Sequence, residues 1–222
     1  MDEEQFEACK NRSSYDDFMG STLALSGLSM DDYKAFMPKI FGIVVARGEK
    51  DPYILYENVI KDLRKEWTAS PQLPFHGPWH HGLVGGIIIA ALRNNGHDFN
   101  DNDVTEALKR GLMIPAGGCG FLGICGAAAG LGIASSIINR STPFHDKERS
   151  TALEMSSKAI KMISRLGGPR CCAMSTYATL DIAKRDLGSI GLDMEGGSSS
   201  GRCADNKLNP QCHKERCPYY PR

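Results

Sequence analysis

A long uncharged stretch limits the possible folds of this chain more than any other feature. No charged residue occurs between Arg110 and Arg140. Residues 121–138 within it are numerous enough to span a bilayer. However, the stretch consists mainly of Gly, Ala, Ser and Cys, which are weakly apolar, and Pro115 with the glycines that follow it interrupts the first half. We therefore predict a helix buried on all sides within the protein, with a membrane segment as the alternative.

The remaining sequence also shows helical patterns. Asp51 and Pro52 form a typical helix start, and apolar residues recur at four-residue steps across residues 55–67. Further helices are predicted near residues 2–9 and from a capping box at Ser29. No alternation of apolar and polar residues indicates a strand, so the pattern predicts an all-α fold.

The domain organisation follows from length and composition. A chain of 222 residues can bury about 70% of its unfolded surface in one core. We predict a single compact helical domain over residues 1–195, built around the Gly/Ala-rich buried helix. Residues 196–222 are expected to form a Gly/Ser-rich linker and an irregular C-terminal metal-binding tail.

Charge and cysteine content limit the partners and the compartment. Lys and Arg together number 26, as do Asp and Glu, so no global charge favours nucleic acid or an anionic membrane. The first residues are acidic and do not resemble a secretory signal. A chain with such a start is expected in a reducing, cytoplasmic setting, where clusters among its eight cysteines are interpreted as metal-binding or catalytic and not as disulfides.

The tail contains three of these cysteines, at Cys203, Cys212 and Cys217, and the last is followed by Pro218. The intervening residues are too polar to form a core, so the tail needs a crosslinking group. Three thiolates and the Cys-Pro ending favour a 4Fe-4S cluster with one open iron, with zinc or unmetallated thiols as alternatives. His213 is interpreted as an exposed polar residue, although it could complete a zinc site.

A second candidate lies in the glycine-flanked segment around Cys119, where Gly117, Gly118 and Gly120 surround the thiol. A helix N-terminus there would stabilise a thiolate, and the glycine amides would hold a substrate anion. We expect Cys119 to be the working thiol and to face the tail cysteines across a shared cavity. Cys125 is six residues away, so it can take part only if the chain bends; otherwise it is a packing residue.

Three histidines and a pair of adjacent cysteines are the remaining candidates for functional residues. His80 and His81 begin a predicted helix and are candidate proton carriers, and His76 precedes them as a candidate substrate-binding residue; all three could instead be polar caps. The fourth cluster position is left open, or is filled by Cys125 or by one member of the pair Cys171 and Cys172.

Three blocks of the sequence carry a resemblance. They are His80-His81-Gly82, Gly117-Gly118-Cys119-Gly120-Phe121 with Cys125-Gly126-Ala127-Ala128, and Cys203-x2-Asn206-x2-Asn209-x2-Cys212-x4-Cys217-Pro218-Tyr219. Together they resemble an uncharacterised prokaryotic domain of unknown function, from about Glu49 onward, which in anaerobes is sometimes joined to a methyltransferase. The chain is more distantly similar to iron–sulfur serine dehydratases and cysteine desulfidases, whose open iron acts as a Lewis acid on substrate oxygen or sulfur.

These observations predict an iron–sulfur enzyme of sulfur chemistry, a lyase or sulfurtransferase that acts on a small molecule. The alternative is a nonenzymatic metal-binding module that docks a methyltransferase or a second copy of itself. A metal-dependent hydrolase built on the histidines is a third hypothesis, which lacks the expected acidic partners.

Overall fold

The computed structural model of the chain describes residue 14, residues 30–69 and residues 72–222. Within these residues there are eight α-helices, two short 3-10 helices and no strand, so the prediction of an all-α fold is confirmed. The helix expected near residues 2–9 and the capping residue Ser29 lie outside the described residues. The α-helices are α1 (Met30–Ala46), α2 (Pro52–Glu66), α3 (Trp79–Asn94), α4 (Asp101–Leu112), α5 (Gly118–Phe121), α6 (Gly126–Ile138), α7 (Asp146–Leu166) and α8 (Cys172–Gly188).

The core is centred on α3, which is buried on nearly every side and packs mainly against α4 and α6. Its glycines and those of α6 allow the two helices to approach closely. A Cβ added at Gly130 would lie 2.8 Å from the Cβ of Val84 and 2.9 Å from the amide nitrogen of Gly85. The Gly/Ala-rich composition of α6 therefore serves tight helix packing within one compact domain.

The uncharged stretch does not form one continuous helix. A single short turn of helix, α5, is followed by residues 122–125, where Gly123 adopts a positive φ of 66° before α6 begins. Because α6 comprises only 13 residues, the stretch is divided into pieces shorter than a bilayer is thick. None of the described helices has both the length and the apolar character needed to cross a membrane.

Local capping groups set several helix boundaries. The carboxylate of Asp51 accepts hydrogen bonds from the amides of Tyr53 at 2.7 Å and Ile54 at 3.3 Å, which confirms the predicted start of α2. Gly167 and Gly168, both with positive φ, follow the end of α7. The chain then places Cys171 at the N-cap and Cys172 at the first position of α8.

The tail packs directly on the helical domain. Tyr219 is only 2% exposed, and its ring stacks on Tyr177 of α8 with centroids 5.3 Å apart. The amide of Cys203 donates to the carbonyl of Tyr219 at 2.8 Å, and Arg202 forms an ion pair with Glu57 of α2. The tail cysteines are thereby fixed against α2 and α8.

Candidate functional site

Four cysteines line one small cavity at the junction of the tail and α8. The three tail cysteines Cys203, Cys212 and Cys217 line this cavity together with Cys171. Phe75 and further residues, most of them from the tail, also line it. We call these four cysteines the tail thiol group. The structure thus brings together the three predicted metal ligands and adds one of the candidates for the fourth position.

Backbone hydrogen bonds and two asparagines position the tail thiol group. The amide of Cys212 donates to the carbonyl of Asn209 at 3.1 Å, and the amide of Cys217 donates to that of Lys214 at 2.8 Å. The side chain of Asn206 donates to the carbonyl of Cys203 at 3.2 Å. These contacts hold the short loops between the cysteines in turns.

Asn209 connects the tail to the helical domain and was not assigned a role from the sequence. It is 5% exposed; its amide group donates to Sγ of Cys171 at 3.6 Å, and its carbonyl oxygen accepts from the amide of Gln211 at 2.9 Å. His76 donates from Nε2 to the same oxygen at 3.1 Å. The regular spacing of Asn206 and Asn209 before Cys212 was the available signal in the sequence.

Burial raises the pKa of three of these thiols. The pKa of Cys171 rises to about 12, opposed by the amide of Met174 and reinforced by the neighbouring thiols of Cys172, Cys203 and Cys217. Burial likewise raises the pKa of Cys203 to about 12 and that of Cys217 above its usual value. Ligation of a metal would therefore release protons from this group.

No three Cys, His, Asp or Glu side chains in residues 30–69 and 72–222 are arranged as a ready group for a metal ion. The four thiols share a cavity but do not form a coordination shell around a single ion. His213, interpreted above as exposed, is 6% exposed instead, and its Nε2 donates to the carbonyl of Pro169 at 2.7 Å. That hydrogen bond fixes its ring against the turn before α8.

Cys119 does not line the tail cavity, so the expected arrangement across a shared cavity is not observed. It lies instead near Cys125, which raises the pKa of Cys119, and both of these cysteines raise the pKa of Cys172. We call these three cysteines the loop thiol group. Adjacent residues Cys171 and Cys172 therefore belong to different groups.

The predicted anion site around Cys119 is not supported. The amide of Gly118 donates to the carbonyl of Pro115 at 3.2 Å, and that of Gly120 donates to the carbonyl of Gly117 at 3.0 Å, so both amides are already used. Because α5 is only four residues long, its dipole is small. Although Cys119 is exposed as a residue, partial burial of its thiol, together with Cys125, raises the pKa of Cys119, contrary to the expected stabilised thiolate.

The three histidines differ in what they can do. His76 uses both ring nitrogens, because Nδ1 accepts from the amide of Cys172 at 3.4 Å and Nε2 donates to Asn209. His80 is 4% exposed, and its Nε2 donates to the carbonyl of Phe75 at 3.2 Å. Burial lowers the pKa of His76 to about 4 and that of His80 to about 3, so both are neutral at pH 7.

His81 lies beside the loop thiol group. A Cβ added at Gly126, the residue after Cys125, would be 2.2 Å from Cγ of the His81 ring, so the ring packs directly on the start of α6. Its Nδ1 donates to the carbonyl of Ile114 at 3.0 Å, which leaves Nε2 as the basic nitrogen. Burial lowers the pKa of His81. Of the two predicted proton carriers, His81 is the better placed.

One family model matches most of the chain. Residues 41–220 match the model described as a family of unknown function (DUF5714). This match agrees with the expected resemblance to an uncharacterised domain, and it begins a few residues before the predicted Glu49. No curated protein and no solved structure matches the chain.

Proposed function

The chain belongs to the DUF5714 family of unknown function, and from its site we propose that it binds a 4Fe-4S cluster and carries out sulfur chemistry on a small molecule. The ligands would be the tail thiol group: Cys171, Cys203, Cys212 and Cys217. The observation that supports this proposal is that all four line one cavity. Cysteine thiolates are the usual ligands of such clusters, and four is their usual number.

The donor set suits a cluster better than a single ion in one respect. Tetrahedral zinc, with Zn–S bonds of about 2.3 Å, requires its four sulfurs to be about 3.8 Å apart. A cluster separates its ligands further, because four irons and four sulfides lie between them. The four thiols share a cavity without forming a compact group, so they would have to move closer together to hold one zinc ion.

When bound, the cluster would supply a Lewis-acidic iron for a substrate sulfur or oxygen. Of the four proposed ligands, Cys171 differs from the others because it comes from the helical domain. Cys171 would be the exchangeable ligand, since its sulfur already accepts from the amide of Met174 at 3.5 Å and from Asn209 at 3.6 Å. These donors would hold the sulfur in place when a substrate displaces it, and the displaced sulfur would take up a proton, because burial raises the pKa of Cys171 to about 12.

The loop thiol group would handle the sulfur. Cys119 is exposed and can accept the outer sulfur of a small persulfide RS–SH, forming Cys119–SSH and releasing RS⁻, or return that sulfur by the reverse step. His81 would carry the proton, because its ring contacts the start of α6 beside Cys125. His80 is less suited to this role, because it is buried and its pKa is about 3.

A reducing, cytoplasmic location is part of this proposal. The seven cysteines in the described part of the chain are all free thiols. Clusters with an exchangeable ligand also require protection from oxygen.

A structural zinc ion is the second candidate, because four cysteines are also a typical zinc ligand set. In that case the chain would be a nonenzymatic module whose tail is held to α8 by the metal. The same four thiols would bind the ion after rotation of their side chains.

Anaerobic purification followed by analysis of iron, acid-labile sulfide and zinc tests the two candidates. The cluster proposal predicts about four irons and four sulfides per chain and a broad visible absorbance that is lost in air. A colourless protein with one zinc ion per chain would overturn the proposal and support the structural module. A separate sample of the protein, reconstituted with zinc, provides the colourless reference.

A further inference from the structure

The loop between α5 and α6 brings two cysteines together. The carbonyl of Gly118 accepts hydrogen bonds from the amides of Leu122 at 2.9 Å and Ile124 at 3.0 Å. The chain therefore turns back on itself and brings Ile124 against Gly118. Cys119 and Cys125 follow these two residues and so lie on adjoining segments of the loop. From the sequence, Cys125 could act together with Cys119 only if the chain bends between them, and the structure contains such a bend.

The two thiols differ in accessibility. Cys119 is exposed, whereas Cys125 is half-buried at the N-cap of α6. Cys172 lies close to both at the start of α8 and is also half-buried. An exposed cysteine beside a second, more protected one is the usual arrangement of a thiol that reacts and a thiol that resolves the product.

Two further groups adjoin these cysteines. Arg170, two residues before Cys172, partly offsets the effect of burial on the pKa of Cys119 and of Cys172. The ring of His81 packs on Gly126, next to Cys125. The positive charge opposes the effect of burial on the Cys119 thiol, and the neutral imidazole can accept a proton from a thiol beside it.

We propose that Cys119 and Cys125 form a thiol–disulfide exchange site for small disulfides. The Cys119 thiolate attacks one sulfur of a substrate RS–SR′, forming a mixed disulfide Cys119–SR and releasing R′S⁻. The Cys125 thiolate then attacks the sulfur of Cys119, releasing RS⁻ and closing the Cys119–Cys125 disulfide. Two protein thiols are oxidised, one disulfide is reduced, and the two released thiolates take up the two protons.

This site is separate from the tail thiol group. It rests on the proposed function only in taking Cys119 as the working thiol, and the exchange needs no cluster. Cys172 is the nearest competitor for the resolving step. The loop favours Cys125, because the hydrogen bond between Ile124 and Gly118 ties together the two residues that precede Cys125 and Cys119.

Oxidised glutathione is a suitable probe for the full-length, anaerobically purified protein. After exposure, free thiols are counted and the disulfides are located by peptide mass mapping. We expect a Cys119–Cys125 disulfide in the wild-type protein. Cys125→Ser should accumulate a glutathione mixed disulfide on Cys119, and Cys119→Ser should slow the loss of thiols by about tenfold or more. Cys119 is exposed, so its replacement by serine leaves the core unchanged.

The inference would be wrong if Cys119→Ser reacted as fast as the wild-type protein. It would also be wrong if the disulfide mapped to the tail thiol group, or if Cys172→Ser rather than Cys125→Ser trapped the mixed disulfide. Iron content measured on the same samples keeps the two proposals apart. A Cys119–Cys125 disulfide in a protein without iron overturns only the cluster, whereas an iron-containing protein without this disulfide overturns only the exchange site.

Discussion

Cys171 and Cys172 are adjacent in the chain but face two different thiol groups. Cys171 is the N-cap of α8, with extended backbone angles, and lines the cavity with the three tail cysteines. Cys172 is the first helical residue and lies near Cys119 and Cys125. The peptide bond between Cys171 and Cys172 therefore joins the tail cavity to the segment that contains Cys119 and Cys125.

Separate replacement of these two cysteines distinguishes the groups. We predict that Cys171→Ala lowers the iron bound per chain after anaerobic purification, because it removes a ligand of the tail thiol group. Cys172→Ala is the matched control, with the same change one residue away, and should retain the wild-type iron content. Equal iron in both variants would show that Cys171 is not a ligand.

The buried ring of Tyr219 is expected to anchor the tail. Tyr219→Ala should lower the free energy of unfolding by about 3 kcal/mol, because it removes the ring stacked on Tyr177. Tyr219→Phe retains the ring but loses the hydrogen bond from the hydroxyl to Asp181 at 3.0 Å, which should cost about 1 kcal/mol. Urea denaturation of both variants measures these values, and an unchanged midpoint for Tyr219→Ala would contradict the observed packing of the tail.

His80 should make the protein less stable in mild acid. Burial lowers its pKa in the folded state to about 3, whereas the unfolded value is about 6.5. The unfolded chain therefore binds the proton more readily below pH 6.5, and stability falls as the pH decreases from 6.5 towards 3. Between pH 7 and pH 5 the loss from this residue should be about 2 kcal/mol.

Urea denaturation of His80→Gln at the two pH values isolates this contribution. The variant should lose less stability than the wild-type protein between pH 7 and pH 5. His145→Gln, a change at an exposed histidine, should retain the wild-type difference. The prediction fails if His80→Gln and His145→Gln show the same dependence on pH.

Close packing of α3 on α6 predicts opposite effects of two glycine substitutions. Gly130→Ala should destabilise the protein by about 1 to 3 kcal/mol, because the new Cβ would meet Val84 and the backbone of Gly85 below 3 Å. Gly42→Ala, in the middle of α1, meets nothing within 4 Å and should stabilise the helix by about 0.5 to 1 kcal/mol. Thermal unfolding compares them, and a neutral Gly130→Ala would contradict the close approach.

Much of the local structure could be predicted from the sequence. Asp51 with Pro52, and Gly167 with Gly168, set helix boundaries through hydrogen bonds and backbone angles that involve only neighbouring residues. The all-α class followed from the spacing of apolar residues in the same way. The glycines after Pro115 signalled a break in the uncharged stretch, although the length of α6 was not evident.

The sequence by itself determined the helices and supplied cysteines in a pattern suited to metal ligation. Only the tertiary structure decided how those cysteines are grouped: Cys171 with the tail, and Cys119 with Cys125 and Cys172. It also decided that His80 and His213 are buried. The physical reason is distance along the chain. Caps and periodicity act within a few residues, whereas these groupings depend on how the tail packs against α8 and how α6 packs against α3.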